Sequence, residues 1–411
     1  MEDVHGVVIL GGGIGGLATA LALHRKGIDS LVLEKSETLR ADGIAISIHA
    51  NGWRALDSLG VGTELRELAI RITEEQLVWP QQNKSILAPI RKELRCLRRK
   101  DLVETLAKNL PAGAIRFGCY IVAIDTPDSR SHGAVLTTVG GSTMKAKVLI
   151  GCDGANSVVA KFLGLSRPSQ LPCLVILGLT TYPKGHPFGS EYLHLLGKGF
   201  AFGQLPITEN IVHFYMNLSI PSTGPVSDCD DPYTTKDSSR GEDYALRKLQ
   251  ECQCPAEIAE KMQRSDPESL KILTRIWYRP PWRLLLGRFR RGTVTVAGDA
   301  MHVMGPFNGQ GGAAALEDAV VLARSLSQAM PNGVDANAEM TGHGLDEKLS
   351  AAIGRYVQER RPRVVRLSLE SFVVGTLLGA KSLVKKLVCR AIMAVLGTRS
   401  RFHENFDCGR L

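Results

Sequence analysis

Three glycine-and-acid clusters are the parts of this sequence whose residue types and spacing can do chemistry. The first is Gly11-Gly12-Gly13-Ile14-Gly15-Gly16, where Gly11, Gly13 and Gly16 satisfy GxGxxG and Glu34 lies 21 residues past Gly13, followed by Lys35. In such a loop the first glycine permits a tight turn, the second lets a pyrophosphate approach the backbone, and the third lets helix and strand pack closely. The helix N-terminus turns its partial positive charge toward the phosphates, and Glu34 is placed to accept a hydrogen bond from an adenosine ribose. This loop leaves open whether the ADP half belongs to a flavin or a nicotinamide dinucleotide. The second cluster, KVLIGCDGANS over residues 147–157, centres on Asp153 and reads as a strand, a Gly-Asp-Gly turn and a helix start with Asn156 and Ser157 near its N-cap. The third is TVTVAGDAMH over 293–302, then GPFNGQGG over 305–312.

A nicotinamide dinucleotide needs only the first loop. An extended FAD needs a carboxylate such as Asp299, next to Gly298, for its ribityl hydroxyls. It also needs a helix start such as Pro306, Gly309, Gln310, Gly311 and Gly312, which sets backbone N–H groups against the pyrimidine edge where reduced flavin is negative. His302 admits two readings, a catalytic group or a polar residue completing the turn after Asp299.

The elements that must position these clusters follow from periodicity. Val7–Leu10 and Ser30–Leu33 are apolar runs flanking a helix over Ala18–Arg25, a βαβ beginning. Helices are predicted over Gly52–Leu68, with apolar Trp53, Leu56, Leu59 and Leu65, and over Asp101–Leu110. Ile115–Ile150 turns to strands with a hairpin at Gly140-Gly141, and a mostly β region holds Leu174–Leu179, Glu191–Leu196, Phe200–Leu205 and Ile211–Leu218. Residues 221–242 read as a polar surface loop, Asp243–Gln263 as helix broken at Pro255, Thr293–Ala297 as a buried strand and Gly311–Gln328 as a helix. The fold class is therefore α/β: a Rossmann-like FAD-binding domain interleaved with a mostly β-sheet substrate domain, and a C-terminal helical segment. The expected divisions are 1–75, 101–170 and 286–365 for the FAD-binding parts, 76–100 and 171–285 for the substrate parts, and 366–411 for the tail.

Composition narrows the function classes. The 411 residues carry 44% hydrophobic and 22% charged residues, ordinary globular usage that excludes a disordered chain. The 42 glycines exceed the roughly 29 that average usage gives, and the three clusters account for much of the excess. The net charge of +9 lies in clusters not interleaved with aromatics, so no nucleic-acid partner is expected; a basic surface suited to an anionic cofactor is. Nine dispersed cysteines without metal-ligand spacing argue for a reducing compartment and no metal. An N-terminus without a signal or transit pattern points to the cytosol. Ser371–Ala380 and Ala391–Thr398 are separated by Lys381, Lys385, Lys386 and Arg390. That pattern reads either as a helical hairpin packed on the protein or as a basic amphipathic helix making peripheral membrane contact.

The three clusters, in this order and spacing, resemble the FAD-dependent aromatic hydroxylases, or group A flavoprotein monooxygenases of the para-hydroxybenzoate hydroxylase fold. The stretches RKGIDSLVLEKS, NGWRALDSLGVG, VLIGCDGANSVV, RRGTVTVAGDAMHVMGPF, GGAAALEDAVVLAR and FDCGRL are similar to plant single-component monooxygenases related to salicylate hydroxylase and zeaxanthin epoxidase. By that resemblance Arg40 matches an arginine that reaches the FAD, Arg99 one near the flavin pyrophosphate, Asp153 an aspartate serving FAD and NAD(P)H, and Asp299 the ribityl-binding aspartate. The implied cycle has NADPH or NADH reduce FAD, the reduced flavin take up O2, and a flavin C4a-hydroperoxide deliver one oxygen atom to a small-molecule substrate by hydroxylation or epoxidation. Two other readings use the same scaffold: a flavin-dependent reductase or dehydrogenase, and a flavin-holding non-catalytic protein at a membrane surface.

On the substrate side, alternation over Ile211–Leu218 puts His213, Tyr215 and Asn217 on one face. As a pocket, that face offers His213 or Tyr215 as catalytic hydrogen-bond acceptor or base for a phenol; as a sheet exterior it is merely solvated. Phe200, Phe202 and Gln204 share a face of the preceding strand. Leu174–Leu179 supplies no cation for a benzoate carboxylate, which favours a largely apolar aromatic or unsaturated secondary metabolite.

Overall fold

The computed structural model describes residues 3–39, 43–126, 133–197, 199–219, 238–251, 253–330, 343–379, 382–395 and 402–411. The chain opens with β1 (Asp3–Leu10), α1 (Ile14–Arg25), β2 (Ser30–Leu33), β3 (Ala45–His49), α2 (Ala50–Ser58) and α3 (Gly62–Glu67). A first excursion runs through β4 (Glu74–Trp79), β5 (Lys84–Pro89) and β6 (Leu94–Arg98). The return is made by α4 (Arg99–Lys108), β7 (Ile115–Arg116), β8 (Ile121–Asp125), β9 (Ala134–Thr138), β10 (Thr143–Gly151) and α5 (Val158–Phe162). The second excursion holds β11 (Ser169–Thr181), β12 (Glu191–Gly197), β13 (Phe200–Thr208), β14 (Ile211–Ser219), α6 (Ser238–Glu251), α7 (Ala256–Gln263) and β15 (Lys271–Tyr278). Then come α8 (Pro281–Leu286), β16 (Arg290–Arg291), β17 (Val294–Val296), α9 (Asp299–His302), α10 (Gly311–Ser327), α11 (His343–Gly379) and α12 (Leu383–Val395).

The first sheet has the order β16-β17-β10-β1-β2-β7, with β9 pairing β10 and β8. Strands β17, β10, β1, β2 and β7 run parallel. The Val7–Leu10 run is buried throughout, as expected of an interior parallel strand covered on both faces. Helix α1 is apolar nearly all round and packs against α10, so it lies inside the domain rather than on it. The register aligns Leu10 with Leu33 and with Gly151, and Gly151 with Val296. The three motif loops therefore leave one edge of the sheet side by side, at the carboxyl ends of the strands where open α/β sheets bind ligands.

The second sheet has the order β15-β11-β14-β13-β12-β4-β5. One face is covered by α6 and α7, whose Ala245, Leu249, Ile258 and Met262 join Phe202, Phe214 and Met216 in a core. The other face looks toward the first domain. β3 and β6 form a separate antiparallel pair.

The predicted helix over Gly52–Leu68 is two helices, α2 and α3. Gly60 sits in the left-handed region at φ 77°, and the chain turns there between the two helices. Most of the 221–242 loop lies outside the described residues; its last residues belong to α6, which begins at Ser238. The tail is helical, and no helix among the described residues is long and apolar enough to cross a membrane. Cys96, Cys119, Cys152, Cys173, Cys389 and Cys408 are free thiols, while Cys229 and Cys252 lie outside the described residues.

Candidate active site

The two sheets enclose a cavity of about 2420 Å³. One wall carries the motif loops. Gly11 sits at φ 103°, and a Cβ there would run into the Cys152 carbonyl, so only glycine lets the β1 and β10 loops lie side by side. Gly13 has open space before it. The Gly12 N–H donates to Glu34 Oε2 at 2.7 Å and the Ser36 N–H to Oε1 at 3.0 Å, so the Glu34 carboxylate ties the phosphate loop to the end of β2 while still lining the cavity. Lys35 and Arg99, the first residue of α4, line the same space.

Asp299 opens α9 with its side chain exposed to the cavity. Gly305, Pro306, Gly309, Gln310, Gly311 and Gly312 line it where α10 begins, so the first N–H groups of that helix border the space. Gln310 is buried; its Oε1 accepts from Asn51 Nδ2 at 2.8 Å, and its Nε2 has no hydrogen-bond partner.

Behind this wall lies a buried charge network. Arg360 of α11 donates to Asp318 Oδ1 and to Glu317 Oε2, each at 2.7 Å, and Arg363 reaches Glu317 Oε1 at 2.9 Å. Asn51 also donates to Glu317 at 2.7 Å. Asp318 Oδ2 accepts from the Gly298 N–H at 2.9 Å and from His302 Nε2 at 2.6 Å. Burial alone would raise the Asp318 carboxyl, but His302 and Arg360 outweigh it and hold it down to about 2. Both loops that flank the cavity, at Gly298 and Gln310, are thereby anchored to α11 through ionised groups.

The opposite wall is the free face of the second sheet, with Val175, Leu177, Leu205, His213, Tyr215 and Asn217. The His213 Nδ1 lies 3.0 Å from the Gly178 carbonyl, which can only accept, so Nδ1 carries the proton. Burial pushes the imidazole down to about 4, so it is neutral with Nε2 as an acceptor. Tyr215 hydrogen-bonds the Tyr192 hydroxyl, and Tyr192 stacks on His194 with centroids 5.4 Å apart. Gly203, directly across from Tyr215, has no side chain, and a Cβ there would strike the Tyr215 ring.

The FAD binding domain family matches residues 5–363 of this sequence. The chain belongs to this family. Over its whole length this flavoprotein is 42% identical to Monooxygenase 1 of Arabidopsis thaliana, all of which is covered, and 33% identical to Monooxygenase 2 of the same plant, with 99% of that protein covered. It is an FAD-dependent monooxygenase. Its fold matches Klebsiella pneumoniae HpxO complexed with FAD and uric acid (TM-score 0.75, 21% identity, 95% of this chain and 92% of that one). It also matches a salicylate hydroxylase substrate complex (TM-score 0.74, 20% identity, 99% and 96%).

The monooxygenase's first wall fits FAD. Asp299 is an exposed carboxylate directly after Gly298, the N-terminus of α10 borders the cavity, and Gly13 leaves room where a pyrophosphate would lie. Of the residues the sequence singled out, Gly11, Gly13, Gly15, Glu34, Lys35, Arg99, Asp153, Gly298, Asp299, Pro306, Gly309, Gln310, Gly311 and Gly312 all line this one cavity with His213 and Tyr215. Gly16 lies behind it, packing α1 against the Gly11 carbonyl. Arg40 lies outside the described residues.

Three further placements follow from the hydrogen bonds and the packing. Asp153 turns both carboxylate oxygens to the start of α5, accepting from Ser157 Oγ at 2.5 Å and from the Val158 N–H at 2.7 Å, so its geometry is that of a helix cap. His302 is buried against Asp318 and does not reach the cavity. Phe202 and Gln204 face α6 and α7, where Phe202 stacks on Phe214 and Gln204 accepts from Lys261.

Sequence reasoning missed Asn51, Glu317, Asp318, Arg360 and Arg363. The signal was present as two adjacent acids in the apolar run GGAAALEDAVVLAR, where a buried pair demands buried cations. It also missed Tyr192 and His194, which only the strand register brings beside Tyr215. His49, His403 and Glu404 bring metal-capable atoms within 4.8 Å of one another; His49 Nδ1 lies 2.9 Å from Glu404, an ion-pair geometry between β3 and the tail. Finally, cations do line the cavity: Lys248, Lys271, Lys386 and Arg390 reach it from α6, β15 and α12 rather than from Leu174–Leu179.

Proposed function

We propose that this monooxygenase takes electrons from NADPH and inserts one atom of O2 into a small, largely apolar aromatic or unsaturated compound, by hydroxylation or epoxidation. What carries this reading is that a single cavity joins the FAD wall to a sheet face on which Val175, Leu177 and Leu205 lie beside a cluster of polar groups at His213, Tyr215 and Asn217. Bound FAD supplies the electron transfer and the activation of oxygen. The chain's own residues do the rest. The N-terminus of α10 would face the acceptor edge of the isoalloxazine, and Asp299 would hold the ribityl hydroxyls. Val175, Leu177, Leu205, Val374 and Leu377 hold an apolar substrate skeleton and keep water away from it. His213 Nε2 accepts a hydrogen bond from a substrate hydroxyl, with Tyr215 beside it (ring centroids 6.3 Å apart) as the second orienting group. An FAD-bearing protein with a basic surface, net +9, suits the phosphate-bearing nicotinamide.

The test is isotopic. Product formed under 18O2 from an NADPH-stimulating substrate carries one labelled atom, and none from labelled water. Product formation that continues without O2 would sink the proposal. Separately, Asp299→Ala lowers FAD affinity by roughly 10²-fold or more through loss of charged hydrogen bonds and gives nearly colourless protein; full FAD occupancy in that variant would refute the ribityl role.

A further inference from the structure

We infer that α12 is a lipid-docking helix: it lies on an anionic membrane surface with its outer face, at the side of the cavity that its inner face closes. The helix runs LVKKLVCRAIMAV and contains no acidic residue. Its side chains sort into arcs at about 100° per residue. Lys386, Arg390 and Met393 line the cavity, and Cys389 is buried against the protein. Leu383, Val384, Leu387 and Val388 face outward and are 71%, 69%, 54% and 52% exposed. Ala391 and Ala394 fall within the same outward arc, which is about 140° wide and wholly apolar. Basic residues border it on both sides, Lys385 at one edge and Lys386 with Arg390 at the other.

An apolar stripe with cations at both margins and no anion is complementary to a bilayer interface, where acyl chains meet negative headgroups. A water-facing helix has no use for four large exposed aliphatic side chains on one face. Helix α11, against which α12 packs, carries a second exposed group on its neighbour α8: Trp282, Leu285 and Leu286, with Trp282 edge-on to Phe372 at 5.5 Å. Tryptophan with aliphatic neighbours is the composition of an interfacial belt. No helix among the described residues is long and apolar enough to span, so the contact is with the surface. Lipid docking by α12 does not depend on which substrate fills the cavity or on how the flavin reacts.

The test uses the FAD-loaded protein in flotation with phosphatidylserine-containing vesicles and with pure phosphatidylcholine vesicles. The wild type floats with the anionic vesicles, binds the neutral ones at least about tenfold more weakly, and is released by salt, each basic side chain near the surface contributing about fivefold. Lys385→Glu weakens binding by at least about fivefold, and Leu387→Glu/Val388→Glu abolishes it. None of these three residues lines the cavity, so flavin absorbance and unfolding midpoint report that each variant is folded. Failure of the wild type to bind anionic vesicles, or equal binding by the double variant, would overturn the inference. So would a wild-type dimer in sedimentation velocity that the double variant breaks without any vesicle binding, since the face would then join two copies of the chain.

Discussion

The two walls of the cavity are built on different principles. The FAD wall is made of loop backbone: glycines that let strands and helix starts approach, and N–H groups at the ends of β1, β10, β17 and the start of α10, all held from behind by ionised side chains. The second wall is made of side chains standing on a pleated sheet, among them a neutral histidine and a hydrogen-bonded pair of tyrosine hydroxyls. A wall made of backbone can hold a cofactor whatever the surrounding side chains, because every residue supplies the same N–H. A wall made of side chains recognises one substrate class, and one substitution can change it.

The comparison is broken most forcefully by removing what holds the first wall. Arg360→Met leaves the buried carboxylates of Glu317 and Asp318 without their central cation, and removing one partner of such a network costs about 3–5 kcal/mol. The expected outcome is a clear fall in the thermal unfolding midpoint together with loss of FAD, since Gly298 and Gln310 are anchored by the same carboxylates. An unchanged midpoint would mean that the network does not hold the wall.

The same division explains what the sequence disclosed. The FAD wall was legible because its chemistry is local: a glycine spacing, a strand before it and a helix after it fall within a dozen residues. The parallel register then aligns the three loops almost automatically. The exceptions are instructive. Asp153 was placed correctly at the cavity, but its oxygens cap α5, because a Ser four residues on competes for the carboxylate. Glu317 and Asp318 needed partners 43 and 42 residues away on α11, a pairing no local pattern contains. On the substrate wall the period-two alternation put His213, Tyr215 and Asn217 on one face, but whether that face meets water or a cavity depends on how two sheets pack. Tyr192 and His194 came from β12, two strands away across the sheet with β13 between, and only the register of all three strands brings them near Tyr215.

The second prediction concerns the buried imidazole. The folded-state value for His213, about 4, lies below the ordinary value near 6.5. In that window the unfolded chain binds a proton that the folded chain does not. His213 therefore leaves stability intact above pH 6.5 and lowers it as pH falls toward 4, by up to about 3 kcal/mol. Unfolding midpoints measured from pH 7 to 4 fall more steeply for the wild type than for His213→Gln, which does not titrate; parallel curves would contradict this. Because the ring stays neutral to about pH 4, substrate-dependent turnover has no His213 limb at pH 6.5.

The smallest effect separates touching from positioning on the second wall. Tyr215 lines the cavity beside His213, while the Tyr192 hydroxyl reaches the same region through its hydrogen bond to Tyr215. Tyr215→Phe removes an orienting group and lowers product formed per NADPH consumed by roughly 10- to 100-fold, on the scale of one or two hydrogen bonds to substrate. Tyr192→Phe lowers it only a fewfold, because Tyr215 retains its place against Gly203 and loses one partner. The double variant resembles Tyr215→Phe alone, a coupling that a double-mutant cycle reads directly. All three keep their FAD and their unfolding midpoint, since none reaches the Glu317–Arg360 network. Equal and additive losses would place both hydroxyls on the substrate, and loss of flavin in either variant would mean that the two walls are not independent.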